Sequence, residues 1–192
     1  MKTYHKIDSD IQSGIKLAIG ENVLDCYQCG KCSAGCPLAT EMDYPPSLLL
    51  RMIQCRTPEI DKKIIGSYTI WLCLNCEMCI SRCPQEVDFP IIADYLRSES
   101  LRLNLINPKA KDIVAFHKSF LDSVRYTGRL YEIGLILEFK ARTKHLLQDL
   151  LIAPRMFLAG KLSIFPHFIK NRKSFSLIFK TLFTRKKEVA GS

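Results

Sequence analysis

Apolar positions in this chain recur with the period of a helix and almost never with that of a strand. Ser9 and Asp10 open a short periodic stretch that runs to Ile19 and is stopped by Gly20, a polar cap at one end and a glycine at the other. Pro45 and Pro46 break the chain, and Ser47 begins a second helix through about Gln54. Thr57 as cap with Pro58 in the first helical position opens a third, which ends at Gly66. Residues 67–72 are a short link. Asp88, Phe89 and Pro90 start a helix through about Leu105. Asn107 and Pro108 at one end and Gly128 at the other bracket the next, with Ile113, Phe116, Phe120, Leu121 and Val124 as its apolar stripe. Residues 129–151 read as a further long helix, with Leu130, Ile133, Leu137, Ala141 and Leu147 on one face. Pro154 and Pro166 cut the remainder into shorter pieces, and residues 184–192 read as a frayed, basic end. The pattern predicts a mainly α fold.

Two stretches escape the periodicity because cysteine dominates them. Cys26, Cys29, Cys32 and Cys36 are followed by Pro37; Cys73, Cys76, Cys79 and Cys83 are followed by Pro84. Both read C-x2-C-x2-C-x3-C-P, the run that holds [4Fe–4S] clusters in bacterial-type ferredoxins. The copies stand 47 residues apart at every cysteine and form an internal repeat. Three cysteines at i, i+3 and i+6 wrap one face of a cubane, and the fourth thiolate comes from elsewhere. In two-cluster ferredoxins the cysteine before proline ligates the other cluster. On that rule cluster one takes Cys26, Cys29, Cys32 and Cys83, and cluster two takes Cys73, Cys76, Cys79 and Cys36. Structural zinc needs neither the third cysteine nor the proline, and a disulfide framework belongs to an oxidising compartment. Cys55, the ninth cysteine, sits in no motif and follows an apolar run, so it reads as a small buried hydrophobe. His5, His117, His145 and His167 fall outside any ligand spacing.

Charge divides the chain. Residues 1–108 hold 11 Lys+Arg against 13 Asp+Glu, whereas residues 109–192 hold 17 against 6, within an overall +9. Each oxidised cluster with its four thiolates adds about −2 to the first part. The basic part reads either as a solvated face or as a docking surface for an acidic protein or a membrane. No apolar signal segment opens the sequence, which with eight reduced ligand thiols points to the cytoplasm. Residues 150–169 come nearest to a spanning helix, but Pro154, Arg155, Lys161 and Pro166 interrupt them. Phenylalanines alternate with lysine and arginine in residues 165–183, which keeps nucleic-acid binding open as an alternative. A buried stripe explains the same residues.

The CYQCGKCSAGCP loop, the lead-in Ile70, Trp71, Leu72 to Cys73, and the CPQEVD after the second motif resemble the C-type component of heterodisulfide reductase. The likeness covers most of residues 20–105. It implies an α-helical ferredoxin domain with two [4Fe–4S] clusters over residues 1–106 and a basic helical extension for subunit docking over 107–192. It further implies a relay without substrate chemistry, passing electrons between a flavin- and cluster-bearing A-type subunit and a B-type subunit with CCG motifs. The chain itself has no Cys-Cys pair, no CCG and no G-x-G-x-x-G fingerprint. The cysteine motifs are shared with the iron–sulfur subunits of glycolate oxidase and anaerobic glycerol-3-phosphate dehydrogenase, so a flavin-linked, quinone-reducing dehydrogenase is the alternative. Gly30 and Gly35 are expected to let backbone approach cluster one, and Trp71 to shield cluster two or simply to pack.

Overall fold

A computed structural model describes residues 10–143, together with 169, 177–179 and 181. Its elements are helical throughout, and no strand occurs among the described residues. The chain divides into two compact units, Met1–Lys111 and Asp112–Ser192.

In the first unit, α1 (Ile11–Ile19) begins where the Asp10 carboxylate accepts from Gln12 N at 3.2 Å and ends on Gly20 at φ 77°. The first cysteine loop follows, carrying the one-turn helix α2 (Lys31–Ala34). Helix α3 (Pro46–Gln54) places Pro46 inside its first turn, so the second proline of the pair starts the helix where a break was expected. Helix α4 (Pro58–Ile65) uses Pro58 in the same way, but the Thr57 side chain makes no capping hydrogen bond. The link expected at 67–72 closes into the turn α5 (Thr69–Leu72), which delivers Cys73. The second loop carries the one-turn helix α6 (Met78–Ser81). Helix α7 (Phe89–Arg102) opens with Asp88 accepting from Ile91 N at 3.0 Å.

Packing follows the apolar spacing. Helix α3 lies on α4, α1 on α7, and α7 also on α4 and α5, while α2 meets α6. Ile15, Leu49, Ile53, Ile64, Ile65, Ile70, Phe89, Ile92 and Leu96 are fully buried between them. A core of this kind holds the two cysteine loops on one scaffold.

The second unit departs from its expected faces. On α8 (Lys111–Thr127) the buried positions are Val114, Ser119, Ser123 and Thr127, while Phe116, Phe120 and Leu121 are exposed. Small hydroxyl residues let the following turn come close: Ser123 Oγ accepts from Tyr131 N at 2.9 Å, and the Thr127 hydroxyl donates to the Arg129 carbonyl at 2.5 Å. On α9 (Glu132–Thr143) Leu135 is buried and Leu137 is 64% exposed, so the helix is rotated from the expected Leu130–Leu137 face. In this orientation Phe139 meets the edge of Phe116, with ring centroids 6.0 Å apart. Ala141 is exposed as well, and Leu147 lies outside the described residues.

Candidate metal centre

Each cysteine loop is shaped by backbone that most residues avoid. Gln28 and Gly30 in the first copy have φ of 64° and 77°; Asn75 and Glu77, 47 positions later, have φ of 51° and 61°. These left-handed residues turn the chain between consecutive cysteines, so that successive thiols point into one space. The internal repeat is therefore a repeat of conformation, down to the residue. Gly30 serves this turn alone, since a Cβ there would meet nothing within 4 Å. At Gly35 a Cβ would sit 2.5 Å from Cδ of Arg82, so this glycine makes room for a side chain from the second motif.

Cys36 of the first loop stands among cysteines of the second. A largely apolar recess of about 380 Å³, partly continuous with solvent, is walled by Cys73, Cys76 and Cys79 of the second motif together with Cys36 of the first. Leu38, Met42, Leu72, Leu74 and Phe89 complete much of its lining. Trp71 is buried but does not border the recess, so its side chain packs in the core and does not shield this space. On the other side, the exposed Tyr27 hydroxyl lies against Cys29. Partial desolvation first, and then the charges of Cys29, Cys83 and Cys26, push it up. Tyr27 thus senses thiols from both motifs at once: Cys26 and Cys29 of the first and Cys83 of the second.

Three of the thiols, Cys32, Cys73 and Cys79, resist ionising on their own. Burial pushes Cys79 up to about 11, with further contributions from the charges of Cys73 and Cys32. Burial raises Cys32 and Cys73 as well, with Cys26 adding to the first and Asp94 and Cys36 to the second. Apolar walls around thiols make thiolates costly unless a cation compensates. Bound iron would supply that compensation, and soft thiolate donors in an apolar shell are the chemistry a [4Fe–4S] core requires. Among the described residues no three ligand-type side chains meet at the position of a single ion; the thiols line a space. The residues present fit the cluster that their spacing predicts.

Hydrogen-bond donors reach some of the sulfurs. Gln28 Nε2 donates to Cys26 Sγ at 3.4 Å, and the Val87 N–H donates to Cys83 Sγ at 3.4 Å. At Cys73 the direction reverses: its thiol donates to Asn75 Oδ1 at 3.5 Å, and Asn75 is fixed by its own N–H to Asp94 at 3.0 Å. The cysteine spacing gives no sign of Gln28, Gln54, Asn75 and Arg97 around the loops. The 47-residue offset between Gln28 and Asn75, both carboxamides, was the available signal. Cys55 departs from expectation: it is exposed at the end of α3, with its thiol on the Arg51 carbonyl at 3.4 Å, and is not a buried hydrophobe. Its position near a chain turn, after the last buried residue Ile53, explains the exposure.

Comparison with known proteins agrees with this chemistry. Residues 22–87 match the family model of a 4Fe-4S dicluster domain. The chain is similar to the C-type component of the H(2):CoB-CoM heterodisulfide,ferredoxin reductase of Methanothermobacter marburgensis, with 28% identity over 110 residues, 57% of this chain and 58% of that relative. It is similar to the second C-type iron-sulfur component of the CoB--CoM heterodisulfide reductase of Methanocaldococcus jannaschii, with 31% identity over 96 residues, 48% of this chain and 49% of the relative. A third relative, the C-type component of the ferredoxin:CoB-CoM heterodisulfide reductase of Methanosarcina acetivorans, is 37% identical over 76 residues, 40% of this chain and 29% of the relative. The chain thus matches little more than half the length of the first of these relatives, and less of the others. Among the described residues no helix is long and apolar enough to cross a membrane. Residues 150–168, the nearest approach to a span in the sequence, lie outside the described residues, as do most of the phenylalanines and basic residues of 165–183.

Proposed function

We propose that this chain, whose residues 22–87 match a 4Fe-4S dicluster domain, is an electron-relay subunit that passes single electrons through two [4Fe–4S] clusters. Cluster one is held by Cys26, Cys29, Cys32 and Cys83, and cluster two by Cys73, Cys76, Cys79 and Cys36. The observation that carries this reading is the recess in which Cys36 joins the three leading cysteines of the other motif. Two centres that share ligands in this way stand close, which suits conduction.

The relay belongs to a heterodisulfide-reductase-like complex, between an A-type flavin and iron–sulfur subunit and a B-type subunit with CCG motifs. Similarity to the C-type components of such reductases supports that place. The disulfide or thiol chemistry then lies on the partner, and the basic residues of 107–192 dock the chain against acidic partner surface. Anaerobic purification of the native complex tests the reading, with mass spectrometry of the co-purifying chains and with iron and flavin counted. A CCG-containing chain and a flavoprotein are the expected companions. A quinone-linked dehydrogenase or a nucleic-acid enzyme in their place would refute the assignment to this kind of complex. Deleting residues 153–192 is expected to weaken co-purification and leave iron content intact; loss of iron would show that these residues belong to the cluster domain.

A further inference from the structure

The two cysteine loops are braced from outside by a matched pair of side chains. Gln54 Nε2 donates to the carbonyls of Val23 and Cys26, at 3.0 and 2.8 Å. Arg97 donates through Nε to the Ile70 carbonyl at 2.5 Å and through a terminal nitrogen to the Cys73 carbonyl. Val23 and Ile70 are 47 residues apart, as are Cys26 and Cys73, so both braces grip equivalent backbone. The next contact repeats too. Gln54 Oε1 accepts from Gln28 Nε2 at 3.5 Å, and Asn75 Oδ1 accepts from Arg97 at 3.4 Å. Gln54 and Arg97 are only 43 positions apart, so it is the fold that pairs them.

The braces differ in charge. Gln54 is neutral, whereas a guanidinium is cationic at every working pH. Arg97 is paired with Asp94 at 2.6 Å, but the arginine side chain is 17% exposed and the aspartate 51%. Water therefore screens the carboxylate more than the guanidinium, and the pair leaves a positive bias beside Cys73. At the first loop Arg51 reaches Gln54 Oε1 at 3.3 Å and Arg82 lies against Gly35, but both arginines are exposed, so water screens their charges. A reduced cluster carries one more negative charge than an oxidised one, and a fixed cation beside it stabilises the reduced form.

We infer that Arg97 sets the two clusters apart in potential, making the second-motif cluster the more easily reduced and the relay directional from the first motif to the second. This rests on the ligand assignment proposed above. The step is the transfer of one electron: the first-motif cluster is oxidised by one, the second-motif cluster is reduced by one, and no bond or proton moves. The electron enters from a reduced flavin or iron–sulfur centre of a partner, or from dithionite in vitro.

Redox titration of the anaerobic full-length chain with dithionite, followed by electron paramagnetic resonance, reads both midpoint potentials. Arg97→Gln is expected to lower the higher potential and leave the lower one in place, narrowing the gap. Arg97→Lys keeps the charge and is expected to keep most of the gap, which loss of packing alone would not do. Gln54→Arg is expected to raise the lower potential. An Arg97→Gln chain that retains its iron and both potentials overturns the inference. If Arg97→Gln loses iron, Gln54→Arg decides: a raised lower potential upholds the inference and an unmoved one overturns it. Iron content and cluster spectra of the unaltered chain report separately on the ligand assignment, so failure there is told apart from failure here.

Discussion

Asp43 Oδ1 accepts hydrogen bonds from both the backbone N–H and the hydroxyl of Thr69, at 2.8 and 2.6 Å. Its other oxygen accepts from Tyr68 N at 2.7 Å. One carboxylate thereby ties the chain ahead of α3 to the first turn of α5, the turn that delivers Cys73. Replacing it with asparagine removes the charge and one acceptor. Asp43→Asn is expected to cost about 1 kcal/mol, since each such bond contributes on that order and the site is solvent-exposed. Chemical denaturation of the anaerobic protein checks it.

The same carboxylate gives a pH dependence. Burial pushes Asp43 up, but its bonds from Thr69, Tyr68 and Tyr44 outweigh that and hold it below the usual carboxylate range. A depressed carboxylate stabilises the fold above its unfolded value, here 3.8, and that stabilisation is lost as pH falls through the lower folded value. Below pH 3.8 the wild-type protein is expected to lose its advantage over Asp43→Asn, so the two stability curves converge towards acid.

Cys83→Ala is expected to damage the cluster held mostly by the first motif and to spare the other. Cys36→Ala is expected to do the reverse. Iron analysis with paramagnetic resonance distinguishes them, and loss confined to the mutated motif's own cluster would show that the ligands are not exchanged.

Glu77 adopts the left-handed conformation that Gly30 adopts in the first copy. A left-handed L-residue costs about 1–2 kcal/mol, and glycine's extra freedom in the unfolded chain returns up to about 1. Glu77→Gly is therefore expected to stabilise by about 0.5–1 kcal/mol, and Gly30→Ala to destabilise by about 1. Paired unfolding curves of the iron-loaded chains measure both. Equal stability in all three would show that backbone strain does not govern these turns.

Cys55 is exposed and lines no shared recess. Alkylation of the iron-loaded protein is expected to label Cys55 first, and Cys55→Ala is expected to abolish that early labelling and leave iron content unchanged. A fall in iron would make Cys55 a ligand.

Local chemistry was the legible part of this fold. Asp10 and Gly20 bound α1 as their residue types require, Pro58 starts α4, and Gly128 at φ 82° ends α8. The cysteine spacing carried the chemistry of the site in full view. What stayed hidden depends on contacts between distant residues. A helical wheel buries Phe120 and exposes Ser123, but the turn after α8 bonds to the Ser123 and Thr127 hydroxyls, and they are the ones buried. Gln54 and Arg97 share no local pattern, and only the folded backbone shows them gripping equivalent carbonyls of the two loops.

The recess shared by Cys36 and the second motif has a consequence for how the protein is made. Its walls are separated in the chain by the whole of α3, α4 and α5, so a nascent polypeptide that has exposed only the first motif offers no finished receptacle for iron. On the ligand assignment proposed above, cluster delivery waits until translation has passed the second motif, and both halves then mature together. A truncated product ending between the motifs would carry the four thiols of the first motif idle and open to oxidation.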